Sequence, residues 1–219
     1  MSGMCMENKV INAAIEYVKE LFENEYSGHD YFHTMRVYKM ATQIAIKEQA
    51  DIEVVQLAAL LHDVDDIKLF PDTHEKKEHA VQFLKHQDIE DEKISLIIQI
   101  INEISFSGSD SVIPETLEGK CTQDADRLDA IGAIGIARAF AYGGNHQRIM
   151  YDPDVEPLLN MSKEEYHKHI STTLNHFYEK LFLLKDMMNT KTAKEIAEKR
   201  DIYMREYVEE FLEEWDGWK

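Results

Sequence analysis

The stretch Ala58-Ala59-Leu60-Leu61-His62-Asp63 ends a run of apolar residues with an imidazole beside a carboxylate. A carboxylate buried without a partner is strongly destabilising, so Asp63 must meet a cation, a set of donors or a metal. His62 supplies a neutral nitrogen that can act as a metal ligand. Adjacent helix positions point about 100° apart, so both side chains reach one ion only if it lies between them, near a helix end. Taken alone, a His-Asp pair is equally at home as a capping or Arg-paired aspartate next to a core histidine, and for a single dipeptide that reading carries more weight.

Two further stretches carry chemistry-bearing residues. Asp124-Ala125-Asp126-Arg127-Leu128-Asp129-Ala130-Ile131-Gly132-Ala133-Ile134-Gly135 places three carboxylates in the first turns of a helix that is otherwise small and apolar. Gly132 and Gly135 permit close backbone approach, at a helix-propensity cost of about 1 kcal/mol each. Capping and compensation of the helix dipole explain Asp124 easily. They explain Asp126 and Asp129 less well, because apolar residues follow each within two positions. In Tyr31-Phe32-His33-Thr34-Met35-Arg36-Val37, His33 lies in a first helical turn with Arg36 on its face three residues later.

Together these stretches resemble the HD superfamily of metal-dependent phosphohydrolases. Its signature is a histidine, then a His-Asp pair roughly 20 to 40 residues on, then a distant aspartate on another helix. Here the intervals are 62 − 33 = 29 and 126 − 63 = 63. The phrases His33-Thr34-Met35-Arg36-Val37, Leu60-Leu61-His62-Asp63-Val64-Asp65-Asp66 and Asp124-Ala125-Asp126-Arg127-Leu128-Asp129-Ala130 are similar to the family's three local patterns. Tyr142-Gly143-Gly144, Tyr151-Asp152-Pro153 and Asn175-His176-Phe177-Tyr178-Glu179-Lys180 resemble a bacterial branch associated with nucleotide pyrophosphohydrolase activity. The resemblance implies an all-α, single-domain HD-type helical bundle of seven or more helices. It also implies a metal site in a central cleft, with one divalent ion on His33, His62, Asp63 and Asp126.

The chemistry of that donor set agrees. Two imidazoles and two carboxylates suit Mn²⁺ first, with Fe²⁺, Co²⁺, Ni²⁺, Zn²⁺ or Mg²⁺ as alternatives, and leave positions open for water and substrate. Proximity in sequence then suggests further roles. Asp66 could orient or deprotonate the attacking water, and Lys68, Arg127 and Arg36 could meet phosphate. Arg127 is equally readable as an ordinary ion-pair partner, and for Arg36 the structural reading is slightly favoured. One departure stands out. Guanosine tetraphosphate hydrolases of the superfamily carry an acidic pair after two intervening residues, whereas here Val64 alone separates Asp63 from Asp65-Asp66. His74, His79 and His86 lie where some HD proteins hold a second metal. Their neighbours Glu75, Lys76, Lys77, Glu78, Lys85 and Gln87 read instead as a solvated helix face.

Charge narrows the partners. The 219-residue chain has a formal net charge of −18, which repels nucleic-acid backbones and anionic membranes. A small phosphorylated substrate such as a nucleotide still fits where a cation reverses the field locally. Cys5 and Cys121 form no CxxC motif, and no signal-peptide pattern opens the chain. Both features point to a reducing cytoplasm.

The elements that must position these residues are helical throughout. The 3.6-residue period marks helices at about Glu7–Asn24, Tyr31–Gln49 capped by Asp30, and from Asp51 through Leu61. Others fall at about Glu75–Lys85, Asp91–Ile104 and Thr122–Tyr142. The last two carry Ile170, Leu174, Phe177, Leu181 and Leu184, then Ile196, Tyr203, Tyr207, Phe211 and Trp215. Ser27 to Asp30 is a break. Val64–Thr73, Ser105–Gly119 and Gly143–Asn160 are read as loops, and long loops in a compact helical domain are often lids or specificity elements. No linker is evident, so residues 1–219 are expected to form one domain. Its core spans about 25–142, and C-terminal helices at about 162–216 pack on it or form a homodimer interface. Two other functions fit less of the sequence: a di-iron oxygenase, which needs two more histidine ligands, and a non-catalytic nucleotide-sensing module.

Overall fold

A computed structural model describes residues 2–23, 25, 30–104, 112–159, 161, 169 and 171–218. Among them every regular element is helical. The helices are α1 (Ser2–Leu21), α2 (Tyr31–Glu48), α3 (Ile52–Leu61), α4 (Pro71–His74), α5 (Glu78–His86), α6 (Asp91–Glu103), α7 (Leu117–Asp129), α8 (Gly132–Asn145), α9 (Asn175–Glu179) and α10 (Lys191–Trp215). A 3₁₀ segment, Leu181–Met187, precedes α10. None of these helices is long and apolar enough to cross a membrane.

Contacts group the chain into two compact units, Met1–Ser105 with Val112–Asp126 and a second that runs from Arg127 to the C-terminus. The division falls inside α7. In the first unit α3 is the hub, packing on α1, α2 and α6. It is apolar apart from Glu53 and Gln56, and Val54, Val55 and Leu57 through Leu61 are all buried. Ala14 and Val18 of α1 and Ile97 and Ile100 of α6 share its core. In the second unit α8 packs on α10. Aromatic rings fill much of the remaining volume there, with Phe177 stacked on Tyr207 at 6.2 Å between centroids and Phe211 on Trp215 at 5.9 Å.

Several boundaries differ from the sequence reading. The long helix expected over Thr122–Tyr142 starts earlier, at Leu117, and breaks at Ala130–Ile131. Gly119 counted as a loop residue by composition, but it is buried inside the helix, where a Cβ would come within 2.7 Å of the Pro114 side chain. Gly132 accounts for the break: its φ of 77° is left-handed, and Arg200 packs where its Cβ would be. The expected helix Glu75–Lys85 begins later, as α5 at Glu78 after a turn, and the loop expected over Val64–Thr73 contains most of α4, whose first position Pro71 occupies, where it lacks no needed N–H.

The helix expected around Leu174 is reduced to α9 and the 3₁₀ segment, and its Ile170 lies outside the described residues, as do Ser27 to His29. The buried face of α10 is also rotated from the expected one. Ala193, Ala197, Met204 and Val208 are buried, while Tyr203 and Trp215 are about half exposed.

Candidate metal centre

Capping sets the position of His33. The Asp30 carboxylate accepts the His33 backbone N–H at 2.7 Å, which fixes the first turn of α2. From that turn the His33 side chain is 2% exposed as a residue. Asp51 caps α3 in the same way, accepting from the N–H groups of Glu53 and Val54. This largely buried helix ends at Leu61, delivering His62 and Asp63 at its C-terminus.

His62 Nδ1 is 2.8 Å from the Ala59 carbonyl. Only an N–H can serve that oxygen, so in the neutral ring Nε2 carries the lone pair. That nitrogen faces the other candidates. It lies 3.3 Å from His33 Nε2, 3.2 Å from Asp63 Oδ2 and 3.9 Å from Asp126 Oδ1. His33 Nε2 is 3.5 Å from Asp63 Oδ2 and 3.4 Å from Asp126 Oδ1. Donor atoms of His33, His62 and Asp63 all lie within 4.8 Å of one another, a group that could hold a metal ion. Asp126 closes on both imidazoles from α7, and its side chain is the most open of the four at 29%. All four belong to the first unit.

Lone pairs of two carboxylates and two imidazoles repel at these separations unless a proton or a cation sits among them. Burial lowers the pKa of His62. The Asp63 carboxylate, then Asp126 and the Ala59 carbonyl, outweigh that and carry it up to about 9. Burial raises Asp126, yet the His33 hydrogen bond and the charges of both imidazoles hold its carboxyl below the usual range. Charge separation of this kind is what a divalent cation replaces when it displaces the imidazole proton.

The remaining sequence candidates are placed as follows. Asp66 is partly buried, and its Oδ1 accepts the Lys68 backbone N–H at 2.9 Å, while Lys68 itself is exposed. Arg36 is partly buried on α2. Arg127 is buried and donates through Nη1 to the Met187 carbonyl, so its guanidinium braces the 3₁₀ segment rather than standing open to a phosphate. Asp129 pairs with Arg138 Nη1 at 2.5 Å. Because α7 begins at Leu117, Asp124 sits in the helix interior, fully buried, and the capping explanation for it falls.

His74, His79 and His86 each turn Nδ1 to a backbone carbonyl, those of Asp65, Val64 and Gln82. Among the described residues, no second metal-ligating group includes them. Asp65 is 1% exposed and accepts the N–H groups of His79 and Ala80, capping α5 from the turn after Asp63. The solvated face expected around these histidines does not include Lys77. That residue is 6% exposed and left-handed, with φ 50°. Helical periodicity could not show this, because Lys77 occupies the turn between α4 and α5.

Residues 30–131 match the HD domain family, an interval that contains all four donors. Protein YpgQ of Bacillus subtilis is 39% identical over 204 residues, covering 92% of this chain and 91% of that one. This chain belongs to the HD superfamily. A crystal structure from Lactobacillus plantarum superposes with a TM-score of 0.83 at 39% identity, covering 95% of this chain and 98% of that one. An HD-superfamily hydrolase from Bacillus thuringiensis gives 0.75 at 40%, covering 96% and 98%. The structure of YpgQ in complex with ADP gives 0.76 at 37%, covering 95% and 96%.

Proposed function

We propose that this HD-superfamily hydrolase is a metal-dependent phosphohydrolase that cleaves a phosphoester or phosphoanhydride bond of a nucleotide. The observation that carries the reading is the meeting of His33, His62, Asp63 and Asp126 within 3.2–3.9 Å contacts. One divalent cation fits that donor set, with Mn²⁺ preferred for its mixed nitrogen and oxygen character, and when bound it would supply a Lewis acid for a phosphoryl oxygen and an acidified water. His62 is oriented for the ion by its bond to Ala59. Asp66 takes the proton of the attacking water. Arg36 and Lys68 offset charge on the phosphoryl oxygens. ADP bound to the relative YpgQ supports a nucleotide as ligand.

The test is a metal-supplemented screen over nucleoside mono-, di- and triphosphates, reading phosphate and pyrophosphate separately. Turnover that needs Mn²⁺ or a similar ion and disappears in Asp63→Ala supports the reading. Metal-loaded protein that hydrolyses nothing in the panel ends it.

A further inference from the structure

We propose that Lys77 is a phosphate-binding residue, its ammonium taking a phosphoryl oxygen of the substrate beside the His62–Asp63 turn; the assignment rests on the phosphohydrolase reading above. A buried ammonium needs acceptors for three hydrogens. Among the described residues the one hydrogen-bond contact of Lys77 Nζ is His74 Nδ1, at 3.1 Å. That nitrogen is also 2.8 Å from the Asp65 carbonyl. One ring nitrogen cannot donate to a carbonyl and accept from an ammonium at the same time. The cation therefore has at most one acceptor, and satisfying it deprives Asp65 of its donor.

The hydrogen bonds of the nearby Asp65 and Asp66 run to backbone N–H groups rather than to Lys77. Asp65 spends both oxygens on the N–H groups of His79 and Ala80, and Asp66 accepts from the Lys68 N–H. No carboxylate among the described residues forms an ion pair with Lys77. The aspartates act on it as a field: burial lowers its pKa, and Asp65, Asp66 and Asp63 oppose that.

Position completes the case. Through His74 the ammonium is held against the turn that follows His62 and Asp63. The backbone of Lys77 is left-handed, a conformation that disfavours any side chain other than glycine. The site thus keeps, at a conformational cost, a buried cation with unused donors beside a candidate metal centre. An anion with several acceptor oxygens completes both.

Calorimetric titration of the full-length Mn²⁺-loaded protein with pyrophosphate and with ADP tests this. Lys77→Met removes the charge at similar length, and Lys77→Gly removes it while suiting the left-handed backbone, so at least one variant keeps the fold. The expected result is affinity about 10- to 100-fold weaker in both variants, with one Mn²⁺ per chain and an unchanged or higher Tm. Wild-type affinity in the variants overturns the assignment. So does parallel loss of metal and affinity, which marks a structural counterion, and so does a wild-type protein that binds neither probe. Binding that depends on Lys77 in a protein without turnover refutes the hydrolase reading and leaves the anion site standing.

Discussion

His62 Nδ1 donates to the carbonyl of Ala59, one turn earlier on the same buried helix, at 2.8 Å. The helix backbone thereby selects the ring tautomer and points Nε2 at His33, Asp63 and Asp126. A candidate ligand whose orientation is fixed by the fold is expected to be hard to replace. His62→Ala and Asp63→Ala should both lose most of their Mn²⁺, read by elemental analysis per chain. Turnover should fall at least roughly 100-fold, because even residues that merely orient a metal ligand are worth about 10- to 100-fold. A variant that keeps one metal per chain removes that residue from the ligand set.

The same imidazole makes the metal-free protein sensitive to pH. In the folded state its pKa lies at about 9, above the ordinary 6.5. A folded value above the unfolded one stabilises fully below pH 6.5, and that contribution disappears as pH rises through about 9. Metal-free protein should therefore lose Tm between these values. Metal-loaded protein, with the ring held neutral, should lose this part of the slope. Metal uptake at neutral pH should also release a proton, detected as a dependence of the calorimetric heat on buffer ionisation enthalpy. Equal heats in phosphate and Tris buffers contradict the assignment of that proton.

Much of the site was legible in sequence because its determinants are local. Asp30 and Asp51 announce the starts of α2 and α3, and the apolar run up to Leu61 announces a buried helix that must end in something polar. The meeting of His33 with Asp126 was legible only through the family pattern, since no period or spacing relates residues on separate helices. Lys77 was lost because its burial comes from a turn, where composition and helical period carry no signal. The rotated face of α10 has a related cause. Tyr203 has the right spacing to Tyr207, but the small residues Ala193 and Ala197 allow closer packing, and they set which face turns inward. Asp201 follows them inside because Arg205 and Lys185 pair with it.

Gly132 gives a prediction about stability alone. Its φ is 77°, and a Cβ would sit 2.9 Å from Arg200 Cγ. Arg200 has little freedom to move aside, since its guanidinium donates to the Leu128 carbonyl. Gly132→Ala should lose about 1–2 kcal/mol from the left-handed backbone alone. For a chain of this size each kcal/mol corresponds to roughly 2–4 °C in Tm. Thermal melts of wild type and variant read this directly, and an unchanged Tm shows that the break between α7 and α8 tolerates a side chain.

His176 makes the second unit sensitive to acid. Burial, then the charges of Lys180 and Arg148, lower its pKa to about 3. The ring is neutral in the folded protein across the whole range in which an unfolded histidine gains a proton. A folded value below the unfolded one means that the unfolded state binds more protons as pH drops under 6.5. Stability linked to His176 is thus complete above pH 6.5 and drains away between 6.5 and about 3. His176→Leu replaces the ring with an apolar group that cannot take up a proton in either state. Its Tm should fall less steeply than that of wild type over this window, while the two curves run parallel above pH 7. Parallel curves throughout would mean that His176 gains its proton in the folded protein as readily as in the unfolded chain, because Lys180 and Arg148 swing away or water reaches the ring.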